Sequence, residues 1–387
     1  MRAWLVLQVW LMAGCSLVPG DPGDRAPPGG GSWRPGWLEV HHIDAGPASS
    51  TLVVAPSGRC LLIDAGEGQW DSQAGANIVG PYLMQVLGTS YLDYVLVSHF
   101  HLDHTGAPGR GGLWHLFHRQ GVRTGKLLHR DFSRFPGDGG ATLARWRDYL
   151  ADEGKALHPE VARLGSAQID LGPGVTVTIV AVDGNGRLTP GSGAHDEAPP
   201  SENDYSVALV LRYGRLDYFF GGDLSGETLI TDFGTSYHDI EQDVAPRVAD
   251  IDVYRVNHHG SAHSSSPTLL DQMKPRVSII EVDDDNGDGH PHQATVDRLA
   301  ALGPIYLTER GNPDTSLRGA RVVGSVVRAT QDGGDCWLAG DRILASDPVR
   351  VDADGDGYLR EADPDDASVA VTPAPRGGCD PAHQDCP

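Results

Sequence analysis

Three histidines and one aspartate are crowded into residues 99–104 of the stretch SHFHLDHTG, which spans residues 98–106. Imidazole and carboxylate groups are the side chains with which proteins hold divalent cations. Gathering them in one short loop costs solvation free energy that a bound cation can offset. A polar surface loop is the alternative, but the complete His-x-His-x-Asp-His spacing favours a metal site. The chain must therefore fold so that other ligands reach this loop, whose own candidates are His99, His101, Asp103 and His104.

Other apolar runs also end in side chains of the metal-binding type. Asp64 follows the run in LLIDAGEG, and Asp223 follows the run in FFGGDLSGE. His258 and His259 come directly after VYRVN. Each of these positions suits a residue that a strand delivers to one edge of a sheet, where loops carry binding and catalytic groups.

Short β-branched runs alternate with segments of helical spacing between residues 37 and 345. Strand-like runs are more numerous than helical ones, and Gly, Asp and Pro separate them. This pattern is typical of an α/β domain with sheets inside and helices outside. The predicted strands are 51–56, 60–66, 94–99, 175–182, 206–213, 217–223 and 277–282, and the predicted helices are 77–87, 113–120, 141–150, 265–273 and 294–302.

The first 36 residues are predicted to direct export rather than to join the core. Residues 1–14 carry Arg2 and then an apolar run that is too short to span a bilayer. The run ends in LMAGC, which resembles the lipobox of bacterial lipoproteins and predicts lipidation of Cys15. An ordinary cleaved signal peptide is the alternative. Residues 15–36 are a Pro/Gly-rich tether, so we expect a location in the cell envelope or outside the cell, with membrane contact through the lipid alone.

The other cysteines would then lie in an oxidising compartment, where pairing is permitted. Cys379 and Cys386 are close in sequence near the C-terminal end and are the first candidates for a disulfide. Cys60 and Cys336 each lie in an apolar, strand-like run. A buried thiol and a disulfide both remain open for these two residues.

The formal net charge of −22 argues against nucleic-acid binding only if it is spread evenly. The tail from residue 346 carries a net charge of −7, whereas residues 110–163 carry +4. This basic segment follows the metal motif directly and could attract an anionic substrate. A solvated helical face is the alternative interpretation of the same residues.

Two acidic segments fall outside the periodic pattern. Residues 183–204 are rich in Gly, Pro and acid, which is typical of a functional lid or a disordered insertion. Within the acidic tail, residues 346–387, the stretch DADGDGYLREAD has the Asp and Gly spacing of a calcium loop. An acidic disordered tail is the alternative. The predicted calcium ligands are Asp352, Asp354, Asp356 and Asp363.

The ordered motifs of residues 37–345 together resemble the metallo-β-lactamase fold superfamily. Within it, the chain is most similar to the metallo-β-lactamase-like domain of bacterial competence DNA-uptake channel proteins. The resemblance rests on LEVHHIDAG, the run NDYSVALVLRYG leading to GGDLSGE, the HHGS at residues 258–261, and GHPH at residues 289–292. The bacterial phosphorylcholine esterases share a similar GGDL and strand-to-HH arrangement. The resemblance implies an α/β fold of four layers, the αββα metallo-β-lactamase sandwich.

The resemblance also assigns roles to the candidate residues. His99 and His101 would hold one metal, Asp103, His104 and His259 the other, and Asp223 would bridge them. Asp64 would orient a ligand, while His258 would face the substrate or support a ligand. His290, which lies with His292 where the competence family has a His-Pro pair, would donate a proton. A surface turn is the alternative for this pair. Asp103, Asp223, His258 and His290 are thus the expected catalytic residues.

The chain departs from the family pattern in three respects. Many members carry another histidine for the first metal before the bridging aspartate. This chain offers Asn203 or Asp204 there, with His195 in the preceding loop. Whether the chain binds one metal ion or two therefore remains open. After Gly46 the sequence reads PASS where the uptake domain has a Gln-Gly-Asp run. The channel proteins also have many membrane spans, whereas no apolar segment of this sequence is long enough to be one.

Such a site would support hydrolysis. Two cations about 3.5 to 4 Å apart can lower the pKa of a bound water to about 7 and stabilise developing negative charge. Zinc suits the mixed ligands, and manganese is the alternative. We expect a metal-dependent phosphodiesterase or nuclease acting through a metal-bound hydroxide on an anionic phosphodiester, with nucleic acid as one such substrate. A lactone or β-lactam hydrolase and a non-catalytic surface-anchored binding protein are the alternatives.

Overall fold

The computed structural model describes residues 31–67, 74–133, 140–186, 199–232, 234–284 and 287–330, together with residue 333 and residues 336–338 and 341–343. Several predictions concern residues outside these ranges. They are the signal peptide, lipidation of Cys15, most of the tether, His195, the pairing of Cys379 with Cys386, and the calcium loop from Asp352 to Asp363. Across the described residues, no helix combines the length and apolarity needed to cross a membrane.

Strands form most of the regular structure. In chain order they are β1 (Leu38–His42), β2 (Thr51–Val54), β3 (Cys60–Ile63), β4 (Tyr91–Leu96), β5 (Arg123–His129), β6 (Pro159–Val161), β7 (Val175–Ala181), β8 (Ala208–Tyr213), β9 (Leu216–Phe220), β10 (Leu229–Ile230), β11 (Ser236–Tyr237), β12 (Val253–Arg255), β13 (Val277–Ile280), β14 (Ile305–Leu307), β15 (Arg321–Val322), β16 (Val326–Thr330), β17 (Cys336–Leu338) and β18 (Asp341–Ile343).

These strands build two large sheets and a small hairpin. The first sheet has the order β18-β17-β16-β1-β2-β3-β4-β5-β6, and the second has the order β15-β14-β13-β12-β9-β8-β7. Strands β10 and β11 form the hairpin, and Ser236 of β11 also bridges Pro200. The helices are α1 (Ala74–Leu87), α2 (Leu102–Thr105), α3 (Gly140–Ala151), α4 (Glu241–Val244), α5 (Pro267–Met273) and α6 (Gln293–Ala300), with a π-helical segment at His115–Arg119 and short 3-10 turns at Glu153–Leu157, Asp183–Gly186, Glu202–Tyr205, Ala245–Arg247 and Asn257–Gly260.

Three apolar clusters separate four layers, as the predicted αββα sandwich requires. Successive side chains of a strand point to opposite faces. On β3, Leu61 accordingly packs between the two sheets, whereas Leu62 packs with Trp146 of α3 on the outside. On β8, Leu209 faces the space between the sheets, and Val210 packs on the outer face with Leu269 of α5. The four-layer prediction is therefore confirmed.

The strand connections bring the candidate site together. Strands β3 and β4 are parallel in the first sheet, and β9, β12 and β13 are parallel in the second. The carboxyl ends of parallel neighbours lie at the same edge of a sheet. The residues after these strands therefore meet in one region, where the two sheets face each other.

Some predicted elements are shorter than the sequence pattern indicates, because their ends leave the ladder to enter the site. Strand β3 ends at Ile63, and the next residue, Asp64, has a φ of 57°. Strand β8 begins at Ala208, since residues 202–205 form a 3-10 turn. Cys60 is buried in the apolar cluster on the outer face of the first sheet, and its Sγ lies 3.5 Å from Asp93 Oδ2.

Candidate metal centre

The loop after β4 presents His99 and His101 side by side. Their Nε2 and Nδ1 atoms are 3.1 Å apart, and His99 is fully buried whereas His101 is partly exposed. His101 precedes helix α2, which carries Asp103 and His104. The loop packs closely on the segment after β3: a Cβ on Gly66 would lie 1.9 Å from the Asp103 carbonyl. Glycine at position 66 therefore permits the approach that fixes Asp103 and His104.

Asp223 reaches the same region from the end of β9. Gly222 has a φ of 58°, which glycine adopts without a steric penalty, and the chain turns there. The Asp223 backbone N–H then donates to Ser206 Oγ at 3.1 Å. The turn aims the Asp223 carboxylate between the sheets, where the residue is only 2% exposed.

His258 and His259 follow β12 in consecutive left-handed conformations, with φ values of 51° and 50°. Histidine rarely adopts this conformation, so the surrounding contacts must hold it. His259 Nδ1 donates to the carbonyl oxygen of Glu281 at 2.8 Å. This bond turns His259 Nε2 toward Asp103 Oδ2, at 3.3 Å, and toward Asp223 Oδ2, at 3.6 Å.

Asp103, His104, Asp223 and His259 offer ligand atoms that all lie within 4.8 Å of one another. His104 Nε2 is 3.2 Å from Asp223 Oδ2 and 3.3 Å from His259 Nε2. Because His104 and His259 each use Nδ1 to donate elsewhere, their neutral forms present lone pairs at both Nε2 atoms. Two facing lone pairs beside two carboxylates are stabilised by a cation. The donor set therefore fits a divalent metal held by nitrogen and oxygen ligands.

The pKa values respond to this crowding. Burial opposes the charged form of His104, but Asp223 and Asp103 together raise its pKa well above the usual value. Burial likewise opposes ionisation of Asp223, yet His104 and then His259 hold its pKa well below the usual value. In the metal-free protein, protons on the imidazoles thus balance the carboxylates. Metal binding would displace those protons.

Asp64 lies behind His104, where the predicted orienting role places it. Asp64 Oδ2 accepts hydrogen bonds from His104 Nδ1 at 2.8 Å and from Ser98 Oγ at 2.5 Å, and Oδ1 accepts from the Ser98 backbone at 2.8 Å. A carboxylate that binds Nδ1 fixes the tautomer and leaves Nε2 free for a metal.

His258, His290 and His292 line one flank of this centre. His258 Nε2 is 3.9 Å from Asp223 Oδ2 and 3.4 Å from Asn203 Nδ2, and burial lowers its pKa to about 4. The His290 ring lies 5.2 Å from the His258 ring and stacks on His259 at 6.2 Å. His292 is partly exposed, with its ring 5.3 Å from that of His290.

The two residues offered in place of a first-metal histidine have different surroundings. Asp204 Oδ2 accepts hydrogen bonds from both the backbone N–H and the Nδ1 of His238, each at 2.9 Å, and Asp204 is outside the four-residue cluster. Burial raises the pKa of Asp204 to about 6. Asn203 faces His258 instead. The described part of the chain thus places Asn203, and not Asp204, beside the centre.

Three of the basic side chains after the metal motif contact acidic residues. Arg130 is buried and pairs with Glu202, with 2.7 Å between Nε and Oε1. Lys126 and Arg163 both contact Glu160, at 2.7 and 3.1 Å. Glu160 belongs to the segment and is already counted in its charge of +4, whereas Glu202 lies outside the segment.

Sequence reasoning missed Arg255 and Glu281, which lie beneath the cluster. Arg255 Nη1 is 3.6 Å from Asp223 Oδ1, and Arg255 also contacts Glu281. A charged residue in each of the apolar runs VYRV and SIIEV was the available signal, because charged side chains are almost never fully buried unless they are paired.

The fold and the cluster define the class of protein. The sequence profile of the Metallo-beta-lactamase superfamily matches residues 43–280, more than half of the chain, and the chain belongs to this superfamily, whose fold is that of metal-dependent hydrolases.

Among particular proteins, the chain is similar to ComE operon protein 3 of Bacillus subtilis (strain 168), with 28% identity over 67% of this chain and 30% of that protein. It is also similar to Recombination protein 2 of Haemophilus influenzae (strain ATCC 51907 / DSM 11121 / KW20 / Rd), with 30% identity over 27% of this chain and 12% of that protein. The chain thus spans less than a third of either relative. The predicted resemblance to competence proteins is confirmed.

Solved structures are similar at lower identity. The metallo-beta-lactamase fold protein YhfI from Bacillus subtilis is 14% identical, with a TM-score of 0.40 over 76% of this chain and 99% of that chain. A diphosphatase from the PhnP family is 15% identical, with a TM-score of 0.37 over 70% of this chain and 94% of that chain.

Proposed function

We propose that this chain is an extracytoplasmic, metal-dependent phosphodiesterase or nuclease. The observation that carries the proposal is the pair of facing Nε2 atoms of His104 and His259, 3.3 Å apart beside Asp103 and Asp223. The similarity to competence proteins supports a phosphodiester substrate. Zinc, or alternatively manganese, is the proposed metal.

Asp103, His104, Asp223 and His259 would hold one ion, and His99 and His101, beside them, would hold a second with Asp223. A divalent cation there supplies Lewis acidity, a lowered pKa for water and stabilisation of charge on a phosphoryl oxygen. Because Asn203 replaces the usual further histidine, we propose that the His99 and His101 side binds its ion more weakly.

The chain's own groups would complete the reaction. Asp64 keeps His104 in the tautomer that leaves Nε2 available. Asp103 and Asp223 would orient the attacking water. His258 and Asn203, which approach each other at 3.4 Å, would contact the non-bridging oxygens of the phosphodiester, and His290 would exchange a proton with the leaving group.

A substrate panel tests the proposal. Purified full-length protein, loaded with zinc or manganese, is assayed with bis(p-nitrophenyl) phosphate, a chromogenic cephalosporin and an aryl lactone. We expect hydrolysis of the phosphodiester in preference to the other two. Hydrolysis of only the lactone or the lactam would overturn the phosphodiesterase, and no hydrolysis by a metal-loaded protein would favour the non-catalytic binding protein.

A further inference from the structure

Asp223 has a buried cation next to it that does not close onto it. Arg255 is 3% exposed, and its Nη1 lies 3.6 Å from Asp223 Oδ1. Within the described chain, no hydrogen bond reaches this carboxylate oxygen. Buried guanidinium and carboxylate groups usually close to hydrogen-bonding distance, about 2.8 Å. Something must therefore hold Arg255 back.

Four other oxygens hold the guanidinium. Nη1 donates to the carbonyl oxygens of Gly222, at 2.9 Å, and Val256, at 3.1 Å. Nη2 donates to Ser49 Oγ at 2.6 Å, and Nε and Nη2 both lie 3.4 Å from Glu281 Oε2. Nη1, the nitrogen nearest Asp223, is thus held by the two backbone carbonyl oxygens, while Ser49 and Glu281 hold the Nε and Nη2 edge of the guanidinium.

The Glu281 carboxylate is itself held by three side chains of the first sheet and its loops. Ser49 Oγ and Thr51 Oγ1 each donate to its carboxylate at 2.5 Å, and His42 Nδ1 lies 2.7 Å from Oε1. Donors from β1, from β2 and from the segment before β2 therefore anchor a residue that follows β13 of the other sheet.

Glu281 also reaches the centre by a second route. Its backbone carbonyl oxygen accepts the His259 Nδ1 hydrogen bond at 2.8 Å. One residue thereby orients His259 through its backbone and restrains Arg255 through its side chain. Both effects act on proposed metal ligands, and neither uses contact with substrate.

We propose that Glu281 is a positioning residue that holds Arg255 off the Asp223 carboxylate and so leaves that carboxylate available to the metal. Its side chain and Ser49 hold the Nε and Nη2 edge of the guanidinium, and its negative charge balances that of Arg255. The inference rests on the metal-binding part of the proposed function and not on the substrate.

Zinc affinity measured without substrate tests this inference. The dissociation constant of the full-length chain for zinc is determined by competition with a chromogenic chelator. In Glu281→Gln, the positive charge of Arg255 is no longer balanced by Glu281, and the guanidinium can pair with the Asp223 carboxylate. We therefore expect zinc binding to weaken by about 10- to 100-fold, the usual effect of losing a partner behind a ligand.

A double variant separates positioning from structural damage. Glu281→Gln with Arg255→Gln removes both charges, and we expect zinc affinity to recover to within about 5-fold of wild type. Simple structural damage would make the double variant bind more weakly than Glu281→Gln. Asp252→Asn is the matched control, because it removes a buried carboxylate that lies 3.3 Å from Arg276 at the other end of β12, and it should leave zinc affinity unchanged.

A less disruptive variant tests the inference even if Glu281→Gln does not fold. Thr51→Val removes one donor to Glu281 and should weaken zinc binding in the same direction by about 3-fold, with unfolding followed by circular dichroism. Wild-type affinity in both Thr51→Val and folded Glu281→Gln would overturn the inference, as would a double variant weaker than the single one. Absence of zinc binding by the wild type would instead overturn the metal centre itself.

Discussion

His104 Nδ1 donates a hydrogen bond to Asp64 Oδ2 at 2.8 Å, and this contact points His104 Nε2 at Asp223, 3.2 Å away. Asp64 follows β3 and His104 lies in the loop region after β4, so the contact links the ends of these parallel strands. Through His104 it also reaches Asp223, which follows β9. It fixes which nitrogen of His104 faces the other ligands before a metal arrives. Pre-orientation of this kind lowers the cost of forming a metal site.

Asp64→Asn tests this orientation. Asparagine tolerates the left-handed φ of 57° at position 64, so the backbone should be retained while the anion is lost. We expect zinc affinity to fall by about 10- to 100-fold, measured by chelator competition. Asp183→Asn is a matched control, because Asp183 also has a positive φ, of 51°, and lies outside the cluster. Equal zinc affinity in Asp64→Asn and wild type would contradict the orienting role.

His258→Ala should slow phosphodiester hydrolysis while the metal is retained. His258 Nε2 lies 3.9 Å from Asp223 Oδ2, but its ring is outside the group of four ligands. We expect kcat to fall by about 10²-fold or more, as for loss of a group that acts in the transition state. His263→Ala, on the same loop, should keep wild-type kcat. Loss of metal from His258→Ala would show that His258 is a ligand instead.

The stability of the metal-free protein should depend on pH through His104 and His259. Their raised pKa values keep them protonated where unfolded histidines, with a pKa of about 6.5, are neutral. Their contribution is therefore complete below about pH 6.5 and is lost as the pH rises through the folded-state pKa values. Buried histidines with lowered pKa values, such as His99 and His258, change the stability only below about pH 6.5, where unfolded histidines gain protons.

We accordingly expect the Tm of the chelated protein to fall as the pH rises above about 6.5, and the Tm of the metal-loaded protein to change less, because the cation replaces the protons. Thermal unfolding in matched buffers measures both. A chelated protein whose Tm rises over that range would contradict the assignment.

Much of the site could be predicted because its residues occur in short motifs next to apolar runs. His99, Asp103 and Asp223 each follow a strand-like run, and the fold needs only to bring the strand ends together. Arg255 and Glu281 could not be found in this way, since they lie within runs that predict strand. Their contacts join distant positions: Ser49 and Glu281, for example, are 232 residues apart.

The basic segment illustrates a second limit. Its net charge follows from composition, but tertiary structure decides which of its bases are buried and paired. Glu202, which pairs with Arg130, is 72 residues away in the sequence. A buried ion pair of this kind leaves no trace in local net charge.

The proposed location depends on one cysteine. If Cys15 is lipidated, Cys15→Ser should release the protein from bacterial membranes or stall its processing, whereas Cys379→Ser should leave the membrane fraction unchanged. Fractionation with mass spectrometry of the mature N-terminus measures both. Unchanged membrane partition of Cys15→Ser, with cleavage at another position, would contradict lipid anchoring.

The metal content and phosphodiesterase activity of wild type and Asp223→Asn test the central claim most directly. Asp223 lies within 3.6 Å of both His104 Nε2 and His259 Nε2. Its loss should therefore remove more metal than loss of any peripheral ligand. After chelation and dialysis against zinc or manganese, we expect wild type to regain between about one and two equivalents of metal together with hydrolysis of bis(p-nitrophenyl) phosphate. We expect Asp223→Asn to remain folded, to bind less metal and to show no turnover. Wild-type protein that binds no metal, or Asp223→Asn that hydrolyses the phosphodiester at the wild-type rate, would contradict the account.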